Sequence, residues 1–257
     1  MSDARTSPAG DFDYEEHGRG YTARRRPDPR IAALFQEAFG DARMVINVGA
    51  GAGSYEPEDR HVVAVEPSAR MRAQRPPHLA PALDAAAEAL PFDDDSFDAA
   101  MASVTIHQWS DVDAGLRELR RVTRGPVAIL TFDADALREF WLNEYVPEVV
   151  ATERARFPAI DHVAGVLGGD VEVVGVRIPR DCTDGFGEAY YARPEAFLQE
   201  DVRAAQSGWV LTDDAAVERG VARLAADLES GAWDARHGAL REQPEYVGSV
   251  RLIVARP

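Results

Sequence analysis

The chain has 257 residues, 46% of them hydrophobic and 28% charged, enough to bury one large α/β core with room for an inserted cap. Its formal net charge of −16 argues against a phosphate-backbone partner, so no nucleic acid is expected. All 28 basic residues are arginine, which excludes a Schiff-base lysine and a GxxxxGK[ST] phosphate loop; the lone Cys182 excludes an intrachain disulfide and a multi-cysteine zinc site.

In chain order, residues 1–30 read as an arm carrying the basic cluster Arg24-Arg25-Arg26. The polar start MSDARTSPAGD has no apolar signal core, and no run approaches the roughly 18 apolar residues of a membrane span, so a cytoplasmic protein with no membrane partner is expected. Ile31, Leu34, Phe35 and Ala38 share one helical face, and Gly40 ends that helix. Met44–Val48 and His61–Val65 are short apolar runs of the kind buried in parallel sheets. A short helix is expected from Met71, interrupted at Pro76-Pro77. Strand Asp98–Val104, helix Val112–Val122 and strand Pro126–Phe132 follow. Ala136–Phe157 reads as one long helical stretch, Val171–Ile178 as a strand, Asp181–Gln206 as irregular and aromatic, Asp213–Leu228 as an amphipathic helix and Ser249–Ala255 as a closing strand.

This alternation predicts a doubly wound, mostly parallel Rossmann-like sheet with an antiparallel last strand and a helical cap insertion. The expected division is an arm at 1–30, a core at 31–179, a cap at 180–245 and the last core strand at 246–257.

VINVGAGAG places Gly49, Gly51 and Gly53 after the first strand, where glycine lets a ligand approach the backbone. The spacing is GxGxG, and Ser54 stands where a dinucleotide fingerprint needs its third glycine. Glu66 ends the second strand, 17 residues after Gly49, and can accept both ribose hydroxyls of an adenosine.

With VAVEPS, AEALPFDDDSFD and LRELRRVTRGPVAIL following in order, the chain resembles the class I S-adenosylmethionine (SAM) dependent methyltransferases, in particular the small-molecule group called methyltransferase type 11. The likeness spans roughly residues 14–134. DGFGEAYYARPEAFL, further on, resembles a segment of some bacterial relatives.

The resemblance implies SAM as cofactor. It places Gly49, Ala50 and Gly51 beneath the methionine part, Glu66 at the ribose, and Pro67-Ser68 at the adenine edge. It sets Ala87 against the adenine ring. Ala86 stands where relatives carry an acid, leaving Glu88 as the alternative partner, and Asn47 replaces an acidic residue of the first motif. The arm at YTARRRPDPRI implies that Tyr14, Tyr21 and Arg25 close over the cofactor, an arginine fork suiting its carboxylate.

The loop Ser103-Val104-Thr105-Ile106-His107-Gln108-Trp109 follows a strand's carboxyl end and should face the transferring methyl. His107 is either a general base or a packing residue that positions the cofactor. Trp109, Trp141, Tyr145, Phe186, Tyr190 and Tyr191 are candidates to line a pocket for a small-molecule methyl acceptor; a cap core is the alternative for each. Asp93-Asp94-Asp95 precedes its strand and reads as a solvated turn, so no metal is expected. The expected function is methyl transfer to oxygen, nitrogen or carbon of a small molecule. The alternative is a SAM-binding protein of this fold that performs regulation or another catalysis.

Overall fold

The computed structural model describes residues 25–257. Among them, six strands form one sheet in the order β2-β1-β3-β4-β6-β5. The strands are β1 Met44–Val48, β2 His61–Val65, β3 Ala99–Ser103, β4 Val127–Phe132, β5 Asp170–Pro179 and β6 Glu245–Arg256. β1 to β4 pair in parallel, whereas β6 runs antiparallel to both β4 and β5. This is the expected doubly wound sheet with a reversed last strand.

Local signals explain the helices. Helix α1, Pro29–Phe39, starts where the Asp28 carboxylate accepts the Arg30 N–H at 2.9 Å and Pro29 supplies a preset first residue. It buries Ile31, Phe35, Ala38 and Phe39. Helix α2, Ala69–Ala73, is capped by Ser68 and stops well before Pro76, shorter than expected. Asp111 caps α3, Val112–Arg121, through the Ala114 N–H.

The stretch from Ala136 to Phe157 is not one helix. It forms two short 3-10 turns, Ala136–Glu139 and Trp141–Glu144, and then α4, Pro147–Arg156. Pro147 has no N–H to continue a preceding helix and pushes Val146 out of the helical region, to a ψ of 64°. Helix α5, Ile160–Leu167, was hidden in the sequence because its eight residues are flanked by proline and glycine. Two hydrophobic clusters cover the two faces of the sheet: one joins α1 to the aromatic cap, the other holds α3 and α5.

The cap segment between β5 and β6 contains 3-10 turns at Gly187–Tyr190 and Pro194–Leu198. Short helices follow: α6 Glu200–Ala204, α7 Ser207–Val210, the long α8 Asp214–Ser230, α9 Ala232–His237 and α10 Ala239–Glu242. No helix among the described residues is long and apolar enough to cross a membrane.

Candidate active site at the carboxyl edge of the sheet

All four parallel strands deliver their carboxyl ends to one edge, and chain order reverses around β1, whose neighbours are β2 and β3. Such a switch point opens a crevice. Here it is a cleft of about 870 Å³ lined by Asn47, the turn 49–52, Glu66, Pro67, Ala86 to Glu88 and the loop from Ser103 to Ser110.

The turn needs its glycines: Gly49, Gly51 and Gly53 all have positive φ, at 67°, 52° and 99°. A Cβ on Gly49 would lie 2.1 Å from the Thr105 hydroxyl, so that glycine also lets the β3 loop pack against the turn. Glu66 is 7% exposed and braces the same turn. Its two carboxylate oxygens accept the Gly51 and Ser68 N–H groups, each at 2.8 Å. Burial raises its pKa, an effect opposed by these two bonds.

Beside it, Leu83 pairs with the edge of β2, bonding Ala64 and Glu66. Arg72 donates to the Glu66 and Pro67 carbonyls and to Asp84. These bonds hold Ala86 to Glu88 over the cleft. Glu88 in turn accepts from Ser110 N, Ser110 Oγ and Asp111 N, at 2.7 to 3.1 Å, and so fixes the far end of the β3 loop.

Asn47 is 1% exposed. Its Nδ2 donates to Glu56 at 3.0 Å, and Glu56 is ion-paired to Arg75 at 2.8 Å. That leaves Asn47 Oδ1 as a buried acceptor with no donor among the described residues, and Asn47 lines the cleft. A buried acceptor in that condition is costly unless a ligand supplies the donor.

A second cavity, about 770 Å³, lies under the cap. Rings and aliphatic chains dominate it: Phe132, Phe140, Val149, Phe157, Phe186 and Trp209, with the polar groups of His107, Glu153, Glu188, Gln206 and Ser207 among them. The two cavities share Arg25 and Val104. Val104 has a φ of 50°, a conformation that strains a β-branched residue and that bends the β3 loop between the two spaces.

Arg25 donates through Nε to Asp184 at 2.7 Å; Asp184 also accepts the Tyr55 hydroxyl at 2.7 Å. Arm, cap and glycine turn therefore meet at one buried carboxylate, 3% exposed. His107 stands with its ring 4.5 Å from that of Phe157. Burial, then the charges of Arg156 and Arg25, hold its pKa well below the usual imidazole value, so it is neutral at pH 7.

The sequence-derived candidates divide accordingly. Arg25, Gly49, Ala50, Gly51, Glu66, Pro67, Ala87, Glu88, Ser103 and Trp109 line the first cleft; His107 and Phe186 line the second cavity. Tyr14 and Tyr21 lie outside the described residues. Trp109 sits over Gly115 of α3, where a Cβ would be 2.4 Å from its ring. Trp141, Tyr145, Tyr190 and Tyr191 line neither cavity. Trp141 packs edge-on to Trp233 and Phe197 and donates to the Tyr191 carbonyl, and Tyr145 bonds Asp227. These four hold the cap together.

Sequence reasoning passed over Phe132, Phe157, Glu188 and Trp209. Phe132 had a signal, since it ends β4 at the ligand-bearing edge. Glu188 had one too, as the lone acid in GEAYY. Trp209 and Phe157 had none.

A methyltransferase domain model matches residues 46–129. A crystal structure from Anabaena variabilis, of a candidate methyltransferase from an antibiotic biosynthesis pathway, is 30% identical with a TM-score of 0.83, covering 90% of this chain and 98% of that one. The chain belongs to the class I SAM-dependent methyltransferase family, whose cofactor is SAM. The fold is shared with YcgJ of Bacillus subtilis, at 18% identity and a TM-score of 0.53 over 89% of this chain and 97% of that one. It is shared also with the 4+2 cyclase SpnF, at 19% and 0.52 over 88% and 79%. A search of curated proteins finds no match.

Proposed function

We propose that this protein transfers the methyl group of SAM to a small molecule held in the cavity beneath the cap. The observation that carries this reading is the abutment of two cavities at Arg25 and Val104. One has the polar fittings of a nucleoside and amino-acid ligand, the other a largely apolar wall typical of small-molecule sites.

The first cleft fits SAM on its own residues. Glu66 accepts the ribose hydroxyls while continuing to hold Gly51 and Ser68. The orphan Asn47 Oδ1 accepts from the ammonium of the methionine part, replacing the acid that relatives carry there. The Ala86–Glu88 segment covers the adenine, and Arg25, steadied by Asp184, offers its guanidinium on the boundary. When bound, SAM supplies a methyl carbon already activated by its sulfonium.

The chain's contribution is then orientation and exclusion of water. Val104 would guide the acceptor heteroatom from the second cavity towards the methyl group that SAM, held by Glu66, Asn47 and Arg25, would supply. The proton displaced from an O–H or N–H acceptor passes to His107, which enters the reaction unprotonated. We read residues 136–157 with 180–244 as the lid that seals this space. The antibiotic-pathway setting of the Anabaena variabilis protein accords with a small organic acceptor.

The test is transfer of labelled methyl from SAM into a metabolite extract, run beside calorimetric binding of S-adenosylhomocysteine (SAH). A labelled small-molecule product is the expected result. SAH binding with no product in any extract would favour the alternative, a SAM-binding protein without methyl transfer.

A further inference from the structure

The charged groups on the wall of the second cavity are not balanced. Arg25 is neutralised by Asp184 at 2.7 Å. Glu153 is paired with Arg156 at 3.6 Å. His107 is uncharged at neutral pH. Glu188 is left over.

Glu188 is 1% exposed, yet no arginine forms an ion pair with it among the described residues. Its donors are neutral. Both of its oxygens lie 2.9 Å from the Ser249 N–H. The cation whose charge acts on it through space, Arg251, forms no ion pair with it and is bonded instead to Asp133 and to the carbonyls of Gly248 and Val250. Burial pushes the Glu188 carboxyl up to about 7, an effect only partly offset by the Ser249 N–H and the charge of Arg251. A buried carboxylate held only by neutral donors calls for a charged one.

Its position is also specific. From His107, beside the shared wall of the two cavities, a row of rings leads away through Phe157, Phe132 and Phe186, with centroid separations of 4.5, 5.0 and 5.9 Å. Glu188 follows Phe186, the last ring of that row, by two residues and lines the same cavity. Trp209, also on the cavity wall, has an indole N–H with no acceptor among the described residues.

Accepting the second cavity as the acceptor site, we propose that Glu188 is the anchor for an ammonium group of the acceptor. The substrate class is then an amine-bearing molecule with an apolar or aromatic body. Its cation is seated on Glu188 at the remote wall, and the atom to be methylated lies at the His107 end. The body fills the space between the two polar ends against the phenylalanine rings. Glu188 binds and orients; it takes no part in the transfer itself.

The experiment is isothermal titration of SAH-saturated protein with 2-phenylethylamine, 2-phenylethanol and phenylacetate, using the wild-type chain and Glu188→Gln. The amide introduced by this substitution keeps an oxygen for the Ser249 N–H, so the fold should persist, checked by its melting curve and SAH affinity. The wild type should bind the amine at least about tenfold more tightly than the acid, and the variant should lose that preference while keeping the alcohol. Equal binding of amine and acid, or a preference that survives in Glu188→Gln, overturns the proposal while leaving the acceptor cavity standing. Binding of SAH with none of the three probes bound at millimolar concentration would remove both.

Discussion

Glu66→Ala tests the cofactor site most directly. The Glu66 carboxylate is 7% exposed and already accepts two backbone N–H groups. Two ribose hydroxyls added to it would form charge-assisted bonds, each contributing about 1.5–3 kcal/mol. Part of that is offset because burial disfavours the charged carboxyl, as its raised pKa records. A net loss of about 2–4 kcal/mol follows for the alanine variant, or roughly 30-fold to 1000-fold in Kd. Glu66→Gln should fall between, because its amide can offer an oxygen to only one of Gly51 and Ser68 and turns its NH2 towards the other. The assay is calorimetric titration with SAH at pH 8, beside a melting curve to show that the glycine turn survives. Since bonds from the ligand favour the ionised form, SAH affinity in the wild type should rise as pH increases from about 4.5. An alanine variant that melts normally and binds SAH within about threefold of wild type would refute the placement of the ribose.

Other consequences concern stability. His107 has a depressed pKa, so the unfolded chain gains its proton first as pH falls below about 6.5, and stability declines by up to about 1.4 kcal/mol per pH unit. His107→Phe should keep the contact with Phe157 and flatten that acid slope in urea titrations; an unchanged slope would count against a buried neutral imidazole. Glu188 works in the opposite sense: with a folded pKa of about 7, it binds its proton more tightly in the folded chain, and stability is lost between about pH 4.5 and 7. Glu188→Gln should therefore gain about 3 kcal/mol relative to wild type on going from pH 4 to pH 8, read from urea midpoints. Asp184→Ala strips the partner from Arg25 and the Tyr55 hydroxyl and should cost about 3–5 kcal/mol; a cost below about 1 kcal/mol would show that the pair is solvated. At the positive φ of Val104, glycine should outperform alanine by about 1 kcal/mol, so Val104→Gly should melt above Val104→Ala.

The sequence alone determined the sheet and the first cleft. Strand runs of four to six apolar residues, the glycines at 49, 51 and 53 and the acid at 66 are local signals. Each reflects a backbone requirement: burial on both faces, positive φ, or a strand end at the ligand edge. The helix starts, placed two residues late at Ile31 and Met71, are set by caps that the structure shows, Asp28 and Ser68, which bond donors two or three residues away.

Only the tertiary structure decided which aromatic residues line a cavity. Trp141, Tyr145, Phe186 and Tyr190 are equally apolar in sequence. Yet three of them close the cap core, while Phe186 reaches the cavity beside Phe132 and Phe157 from distant segments. Glu188 is one of 44 acidic residues in the sequence. Its isolation depends on Asp184, Arg156 and Arg251 having been paired by folding, so its burial without a cation could not be read from sequence neighbours. Charge balance inside a cavity is a property of long-range contacts, whereas the glycine turn is a property of the chain's own dihedral angles.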